Sequence, residues 1–233
     1  MATGDRGSEM GNVGFDAARR VVQAGRGAFF PTSDADLPVR QSSILHKDDQ
    51  IPQLGFVGAN YAAHRVLLLG INPGNGGNNQ KRIPADDKMM PAMYDFDREP
   101  TEQNFVAASR AYQTGFETWG PRQLRCSELF GPGKLAASDV AYATCLPWRT
   151  GSKPPFTDDV MRKAATLFLR PLIEDLAPAI IVAMGKTDVP KFLQMTGLRM
   201  PPVIPWNRSQ ATTSAALGER KAAELRILKE IVR

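Results

Sequence analysis

Four short, mostly apolar runs are the clearest pattern along this chain of 233 residues. They cover residues 65–71, 139–145, 179–184 and 202–205. Continuous apolar runs of this length are typical of strands that are buried on both faces of a parallel sheet. Segments with helical periodicity separate them. We therefore predict an α/β fold with three layers, α/β/α, around a central, mostly parallel sheet of about four strands.

Capping residues and apolar stripes indicate where the helices lie. Gly25 is predicted to end the first helix, and Thr101 and Thr157 are predicted to begin two later ones. Pro171 should kink or restart the helix that Thr157 opens, because a proline cannot donate a backbone hydrogen bond. We expect the final helix to bury one stripe, made of Leu217, Leu225, Leu228 and Ile231.

Three segments show neither the apolar runs of strands nor the periodicity of helices. Residues 1–11 are polar and rich in glycine, and we expect a disordered tail there. Residues 26–63 and 72–99 are predicted to be irregular, because prolines in the first segment and glycines in the second interrupt helices and strands. No repeat or internal linker divides the remainder, so residues 12–233 are expected to form a single domain.

The composition excludes several classes of protein. Two cysteines, Cys126 and Cys145, are too few for a disulfide framework or a four-thiolate cluster. The two histidines, His46 and His64, lack metal-ligand spacing, so we expect neither a metal nor another cofactor. Lys and Arg outnumber Asp and Glu by 29 to 24, which only slightly favours a nucleic-acid partner.

No targeting or membrane segment stands out. The first residues lack the apolar stretch of a signal peptide, and no run approaches the ~20 apolar residues of a membrane span. We therefore expect a soluble cytoplasmic protein, associated with the nucleoid if it is bacterial, that has no membrane contact.

The unusual residues follow the predicted strands. Ligands bind outside the carboxyl ends of the strands in an open parallel sheet. Here each strand runs into a polar or glycine-rich loop, at residues 70–77, 145–149, 185–187 and 206–210. These loops lack the spacing of a phosphate-binding P-loop or of a dinucleotide-binding motif. A pocket at this edge is therefore the first hypothesis for a site.

The loop after the first strand, Gly70-Ile-Asn-Pro-Gly74, closely resembles the first motif of uracil-DNA glycosylases. The match is nearest to the mismatch-specific and single-strand-selective branches. Residues 142–149 and 171–185 resemble the family's pocket-wall and helix–strand–glycine segments. Residues 207–209 stand in the place of its second motif, usually His-Pro-Ser or Asn-Pro-Ser. The resemblance covers roughly residues 60–232.

The resemblance implies that two asparagines are catalytic, Asn72 and Asn207. Asn72 would hold the attacking water near C1′ through its amide, unless it merely caps a turn before Pro73. Asn207 would reach a base oxygen or a phosphate. The backbone N–H of Ile71 would face a uracil oxygen, Pro73 and Gly74 would set the sharp turn, and Gly70 would belong to the same base-binding loop.

Other residues would bind the base or the DNA backbone. Ser209 would bind a phosphate, and Arg208, in place of the family's proline, would pair with phosphate or enter the emptied stack, or else be a surface charge. Tyr94 or Phe96 would stack on the base, unless they are core. Trp148 and Arg149 would flank the pocket, although Trp148 could equally cover the end of the sheet.

The resemblance thus implies a monomer that excises uracil from DNA, leaves an abasic site and releases free uracil. Two departures leave base specificity open. Gly74 and Asn75 stand where many relatives carry a tyrosine that excludes thymine, and Ala141, Tyr142 and Ala143 include no asparagine to read the base. The alternatives are a glycosylase for hypoxanthine or mismatched thymine, and a non-catalytic protein that binds DNA or abasic sites.

Overall fold

The sheet is mixed but mostly parallel. The computed structural model describes residues 13–30, 51–73, 86–149, 157–185, 187–207 and 214–231. Within these ranges five strands pair in the order β1-β3-β2-β4-β5. The strands are β1 (Phe56–Val57), β2 (Val66–Gly70), β3 (Val140–Thr144), β4 (Ile180–Ala183) and β5 (Val203–Pro205).

The four predicted strands are confirmed as β2 to β5. They pair in parallel, and every residue of β2, β3 and β4 is buried, which accounts for their continuous apolar runs. The fifth strand, β1, pairs antiparallel with β3 at the edge. The expectation of an irregular segment over 26–63 was therefore wrong at β1, which is too short for its alternation to stand out.

Helices lie before, between and after the strands. The longer ones include α1 (Phe15–Ala24), α4 (Asp86–Arg98), α5 (Glu102–Gln123), α6 (Asp158–Ala164), α7 (Arg170–Leu176), α8 (Asp188–Met195) and α9 (Ser214–Ile231), and the short ones α2 (Arg26–Phe29) and α3 (Tyr61–His64). Two 3₁₀ turns cover Ser127–Leu129 and Ala137–Asp139. The α2 and α3 helices are further departures from the irregular segment expected over 26–63.

The capping residues act as predicted. The Thr101 side chain accepts a hydrogen bond from the backbone N–H of Asn104 at 3.3 Å, and that of Thr157 accepts one from Val160 at the same distance. Gly25 ends α1. The chain passes from α6 to α7 through a π-helical segment, Ala165–Leu169, directly before Pro171. The wider π turn is the local disruption expected from a proline that cannot donate.

The sheet carries helices on both faces, which makes the fold three-layered. Tyr142 on β3 packs against Phe116 of α5, with ring centroids 5.2 Å apart. Its neighbours Ala141 and Ala143 point to the opposite face, as alternate strand residues must. There they line a small cavity with Phe168 and Leu172, from the π segment and α7.

The glycines of the segment 72–99 led us to expect an irregular structure throughout, and this expectation was wrong for its second half. It includes α4, and Pro91 lies within that helix. Met89, Met90 and Met93 of α4 are buried, which shows an apolar stripe that the proline obscured in the sequence. Residues 74–85 lie outside the described residues.

The predicted stripe of the final helix was wrong at the two members whose side chains the structure describes, Leu217 and Leu225. Leu217 and Leu225 are 47% and 54% exposed. The buried stripe of α9 is Ala216, Arg220, Ala223 and Ile227. Alanines let the helix approach its neighbours closely, and the salt bridge between Arg220 and Glu128, 3.5 Å long, compensates the burial of a guanidinium. Small and charged residues therefore decided which face of α9 packs inward.

Among the described residues, no helix is long and apolar enough to cross a membrane. The tail predicted over residues 1–11 lies outside the described residues.

Candidate functional site

The candidate site is the edge of the sheet at which β2, β3, β4 and β5 end. Because these strands are parallel, the segments that follow them meet there, as the sequence predicted. The segment after β2 lies between those after β3 and β4, and the one after β5 comes last. The ends of β2 and β5, which Asn72 and Asn207 follow, are therefore about 10 Å apart along this edge, given a strand spacing of ~4.8 Å.

The β2 loop is held in place by its backbone. The carbonyl groups of Gly70 and Ile71 accept hydrogen bonds of 2.9 Å from Cys145 and Leu146, which follow β3. A Cβ on Gly70 would lie 3.2 Å from the Thr144 methyl group and from the Tyr142 hydroxyl, so a side chain there would disturb the junction. These contacts extend the β2–β3 pairing beyond the strands and fix the position of the backbone directly before Asn72.

The Asn72 side chain is partly buried at this edge. Its amide nitrogen donates to the carbonyl of Pro73 at 3.4 Å, and Pro73 itself is buried. A contact of 3.4 Å is long for a hydrogen bond, so the orientation of the amide is only weakly fixed by it. This bond is compatible both with the turn-capping role and with the water-holding role considered for Asn72.

Gly185 makes room for the Ile71 side chain at this edge. It follows β4, and a Cβ there would lie 3.0 Å from two side-chain carbons of Ile71 and 3.2 Å from a methyl of Val189. The Ile71 side chain can therefore lie over the end of β4 only because Gly185 has no side chain. Ile71 and Gly185, both partly buried, form an apolar floor between Asn72 and Asn207.

Asn207 is partly buried and fixed from two sides. Its neighbour Trp206 is fully buried, donates its backbone N–H to Ala183 at 2.9 Å, and donates its indole N–H to the Arg125 carbonyl at 2.9 Å. The Asn207 amide nitrogen donates to the Glu219 carboxylate of α9 at 2.9 Å.

Trp148 lies in the core. Its ring is 1% exposed and packs against Phe29 and Phe30, with centroids 4.4 and 6.3 Å away. The indole N–H is buried and has no hydrogen-bond partner among the described residues. Of the two roles considered from the sequence, covering the end of the sheet is the one found, and the ring is not available to a base.

Arg149 is buried as well, at 7% exposure. The Gln53 side-chain oxygen accepts hydrogen bonds from its Nε at 3.1 Å and its Nη2 at 3.2 Å, because a guanidinium only donates and the carboxamide must turn its oxygen towards it. Gln53 is 2% exposed, and its backbone N–H donates to the Pro147 carbonyl. The expectation that Arg149 contacts DNA is therefore not supported by its position.

The two candidate stacking rings differ in environment. Phe96 is 1% exposed and packs against Phe15 and Phe105, with centroids 6.4 and 5.7 Å away, so its role in the core is the one found. Tyr94 is partly buried against the core. Both belong to α4 rather than to a loop, so their directions are set by helical geometry.

Three candidates lie outside the described residues, namely Gly74, Arg208 and Ser209. Their expected roles in the turn and in phosphate binding therefore stay predictions.

No cysteine nucleophile is available at this edge in the described part of the chain. Cys145 follows β3 and is fully buried. Burial raises the pKa of its thiol well above the usual range, with a further contribution from the Asp188 carboxylate. The other cysteine, Cys126, is buried too. Among the described residues, no three His, Cys, Asp or Glu side chains form a group that could hold a metal ion.

The sequence did not indicate two residues of this edge, Gln53 and Glu219. Gln53 lies in an apparently irregular segment, and Glu219 is one of several acidic residues on α9. Both were missed because their contacts join segments far apart in the chain. Gly185 did leave a signal, as a glycine directly after a predicted strand.

The edge thus combines two amides, an apolar floor and backbone carbonyl groups that are already paired. Amides bind and orient polar ligands but do not abstract protons at neutral pH. The arrangement suits binding and orientation of a neutral polar ring and a water molecule more than acid–base or nucleophilic chemistry. Neither a protein-family model nor any curated protein matches this sequence.

Proposed function

We propose that this protein is a DNA glycosylase that hydrolyses the N-glycosidic bond of uracil in DNA and leaves an abasic site. The observation that carries the proposal is the position of Asn72 and Asn207 at the same edge of the parallel sheet, on either side of the floor made by Ile71 and Gly185. The motif after β2 resembles that of uracil-DNA glycosylases, which supplies the identity of the reaction.

The chemistry requires little acid–base catalysis. As the bond between C1′ and the base breaks, positive charge develops on the sugar and negative charge on the base. Water adds to C1′ and loses a proton, while the base leaves as an anion that is then protonated. Asn72 would orient the water through its amide, and Asn207 would donate an N–H to an oxygen of the base. Both contributions are positioning and electrostatics.

The geometry of the edge supports a flipped base as the ligand. A base inside a duplex cannot reach a site between loops, so it must leave the stack. The ends of β2 and β5, about 10 Å apart, leave a width between them that suits one pyrimidine ring and its polar edge. A partly buried site also strengthens hydrogen bonds to the departing base, because fewer waters compete for them.

The test is excision from end-labelled oligonucleotides that each carry one lesion, as single strands and as duplexes. Uracil, hypoxanthine and thymine opposite guanine are compared under single-turnover conditions, and alkali then cleaves each abasic site. We expect alkali-sensitive product from the uracil substrate first. Asn60→Ala is a matched control variant, since Asn60 bonds to Ser138 and Asp139 at the opposite edge of the sheet.

Each result has a distinct meaning. Excision of hypoxanthine or thymine but not uracil would replace the substrate in the proposal. Binding without excision of any of the three bases would overturn the enzymatic proposal in favour of a DNA-binding protein. Binding that does not weaken between low and moderate salt would overturn the nucleic-acid role itself, because phosphate contacts release counterions.

A further inference from the structure

We infer that Glu219 is a positioning residue for Asn207 and fixes which end of the Asn207 amide faces the bound base. The inference rests on the proposed glycosylase function. It starts from the hydrogen bond of 2.9 Å between the Asn207 amide nitrogen and the Glu219 carboxylate. Glu219 lies on α9, which begins seven residues after Asn207 in the chain.

The position of Glu219 is fixed by its neighbours on α9. The next residue, Arg220, is 8% exposed and is paired with Glu128. This pairing anchors α9 directly after Glu219, so the carboxylate is presented to Asn207 from a helix that is held in place rather than from a loop.

The carboxylate decides the orientation of the amide. An asparagine amide has an oxygen that accepts and a nitrogen that carries two N–H donors. An ionised carboxylate only accepts, so the nitrogen must turn towards Glu219. One N–H is then engaged and the other keeps a fixed direction. Loss of Glu219 removes this constraint on the amide, so its oxygen more often faces the position where the base oxygen needs a donor.

The same carboxylate has an electrostatic cost for binding DNA. Glu219 is exposed, close to Asn207, and carries a negative charge towards a polyanionic ligand. A residue that served only the stability or solubility of the protein would not both support the chemical step and weaken DNA binding. Glu219 is therefore expected to favour the chemical step and to weaken binding, and these opposite effects separate positioning from folding.

The experiment compares Glu219→Ala and Glu219→Gln with the control Glu224→Gln, which removes one charge from the same helix. Single-turnover uracil excision and affinity for abasic-site DNA are measured for each. We expect Glu219→Ala to slow excision about five- to tenfold, the range for one lost hydrogen bond, and to tighten binding about twofold at low salt. Glu219→Gln retains an acceptor, so it should restore most of the excision rate and retain the tighter binding.

A double-mutant cycle tests whether Glu219 acts through Asn207. Asn207→Ala combined with Glu219→Ala should excise no more slowly than Asn207→Ala alone. An additive loss would overturn the inference, and so would a Glu219→Ala protein that excises at the wild-type rate. Loss of binding together with excision would indicate a purely structural role and would overturn it as well.

A readout that does not need activity is the side-chain amide signal of Asn207 in a ¹⁵N–¹H spectrum, assigned by its loss in Asn207→Ala. We expect it to shift in Glu219→Ala but not in Glu224→Gln. An unchanged signal would show that the hydrogen bond is absent in solution and would overturn the inference. A wild-type protein that excises no base would instead overturn the proposed function, and the positioning role with it.

Discussion

Two parts of the site edge, the segment after β3 and the segments after β2 and β5, resemble each other in sequence but differ in the folded protein. The segment after β3 offers Trp148 and Arg149, and the segments after β2 and β5 offer Asn72 and Asn207. All four are large or polar residues in the segment that follows a strand. Trp148 and Arg149 are buried, however, whereas both asparagines are partly exposed.

The difference follows from what lies next to each segment. The β3 end, which we call the packed corner (residues 145–149), is covered by Phe29 of α2 and by Gln53. At the β2 end Ile71 packs over Gly185, and neither Asn72 nor Asn207 is fully buried. A polar residue after a strand is thus a candidate for function only where its neighbours leave space beside it.

The largest expected effect is at the packed corner. Replacing Trp148 by alanine should lower the free energy of unfolding by about 3–5 kcal/mol, the range for a deleted buried aromatic ring. Trp148→Phe keeps the contact with Phe29 and removes an N–H that lacks a partner among the described residues, so it should cost less. Urea denaturation measures both. An unfolding free energy unchanged in Trp148→Ala would contradict the comparison.

The second largest effect is expected for Asn72, in the segment after β2. Asn72→Ala should lower single-turnover uracil excision about 100-fold or more, the loss seen when one preorganised polar contact is removed. The Asn72 side chain is only partly buried, so the midpoint of urea denaturation should stay close to that of the wild type. Binding to abasic-site DNA should also survive, because phosphate contacts hold the backbone.

Asn60→Ala is the control for this prediction, because it removes a similar amide from the opposite edge. A folded Asn72→Ala protein with full activity would show that the water is held elsewhere and that the resemblance does not extend to this residue.

A smaller effect is expected for the second residue of the packed corner. Arg149→Met keeps the aliphatic length but leaves the oxygen of Gln53 without its donors. It should therefore lower the free energy of unfolding by about 1–3 kcal/mol. The salt dependence of DNA binding should stay unchanged, because Arg149 is buried and does not replace a counterion. A slope reduced by about one charge would instead place Arg149 on the DNA.

The smallest effect concerns Cys145 and appears only at alkaline pH. Burial raises the pKa of its thiol in the folded protein. The resulting stability is complete below about pH 8.5, the pKa of an unfolded thiol, and is lost as the pH rises towards the higher folded value. Wild-type stability should fall by about 1.4 kcal/mol per pH unit above pH 8.5 from this group.

Cys145→Ala should remove that contribution. The difference in unfolding free energy between wild type and variant is measured from pH 7.5 to 9.5, and the contribution of the tyrosines, which both proteins share, cancels in it. A difference that stays constant with pH would mean that the thiol is accessible to water, and the corner would not be packed.

Much of the framework was predictable from the sequence because its signals are local. Continuous apolar runs predicted β2 to β5, and Thr101, Thr157, Gly25 and Pro171 gave the helix boundaries. These features depend on residues a few positions apart. The edge at which the site lies follows from the parallel strands in the same way, since the carboxyl ends must meet.

Burial at that edge was decided only by the tertiary structure. Trp148 is covered by Phe29, Arg149 is bound by Gln53, and Asn207 is held by Glu219, and each pair joins segments that the local pattern does not relate. The final helix shows the same limit, since Leu217 and Leu225 are exposed whereas Ala216 and Ala223 are buried. Local periodicity determines which faces an element can bury. The shape of the surrounding elements decides which face is buried and which polar groups keep access to a ligand.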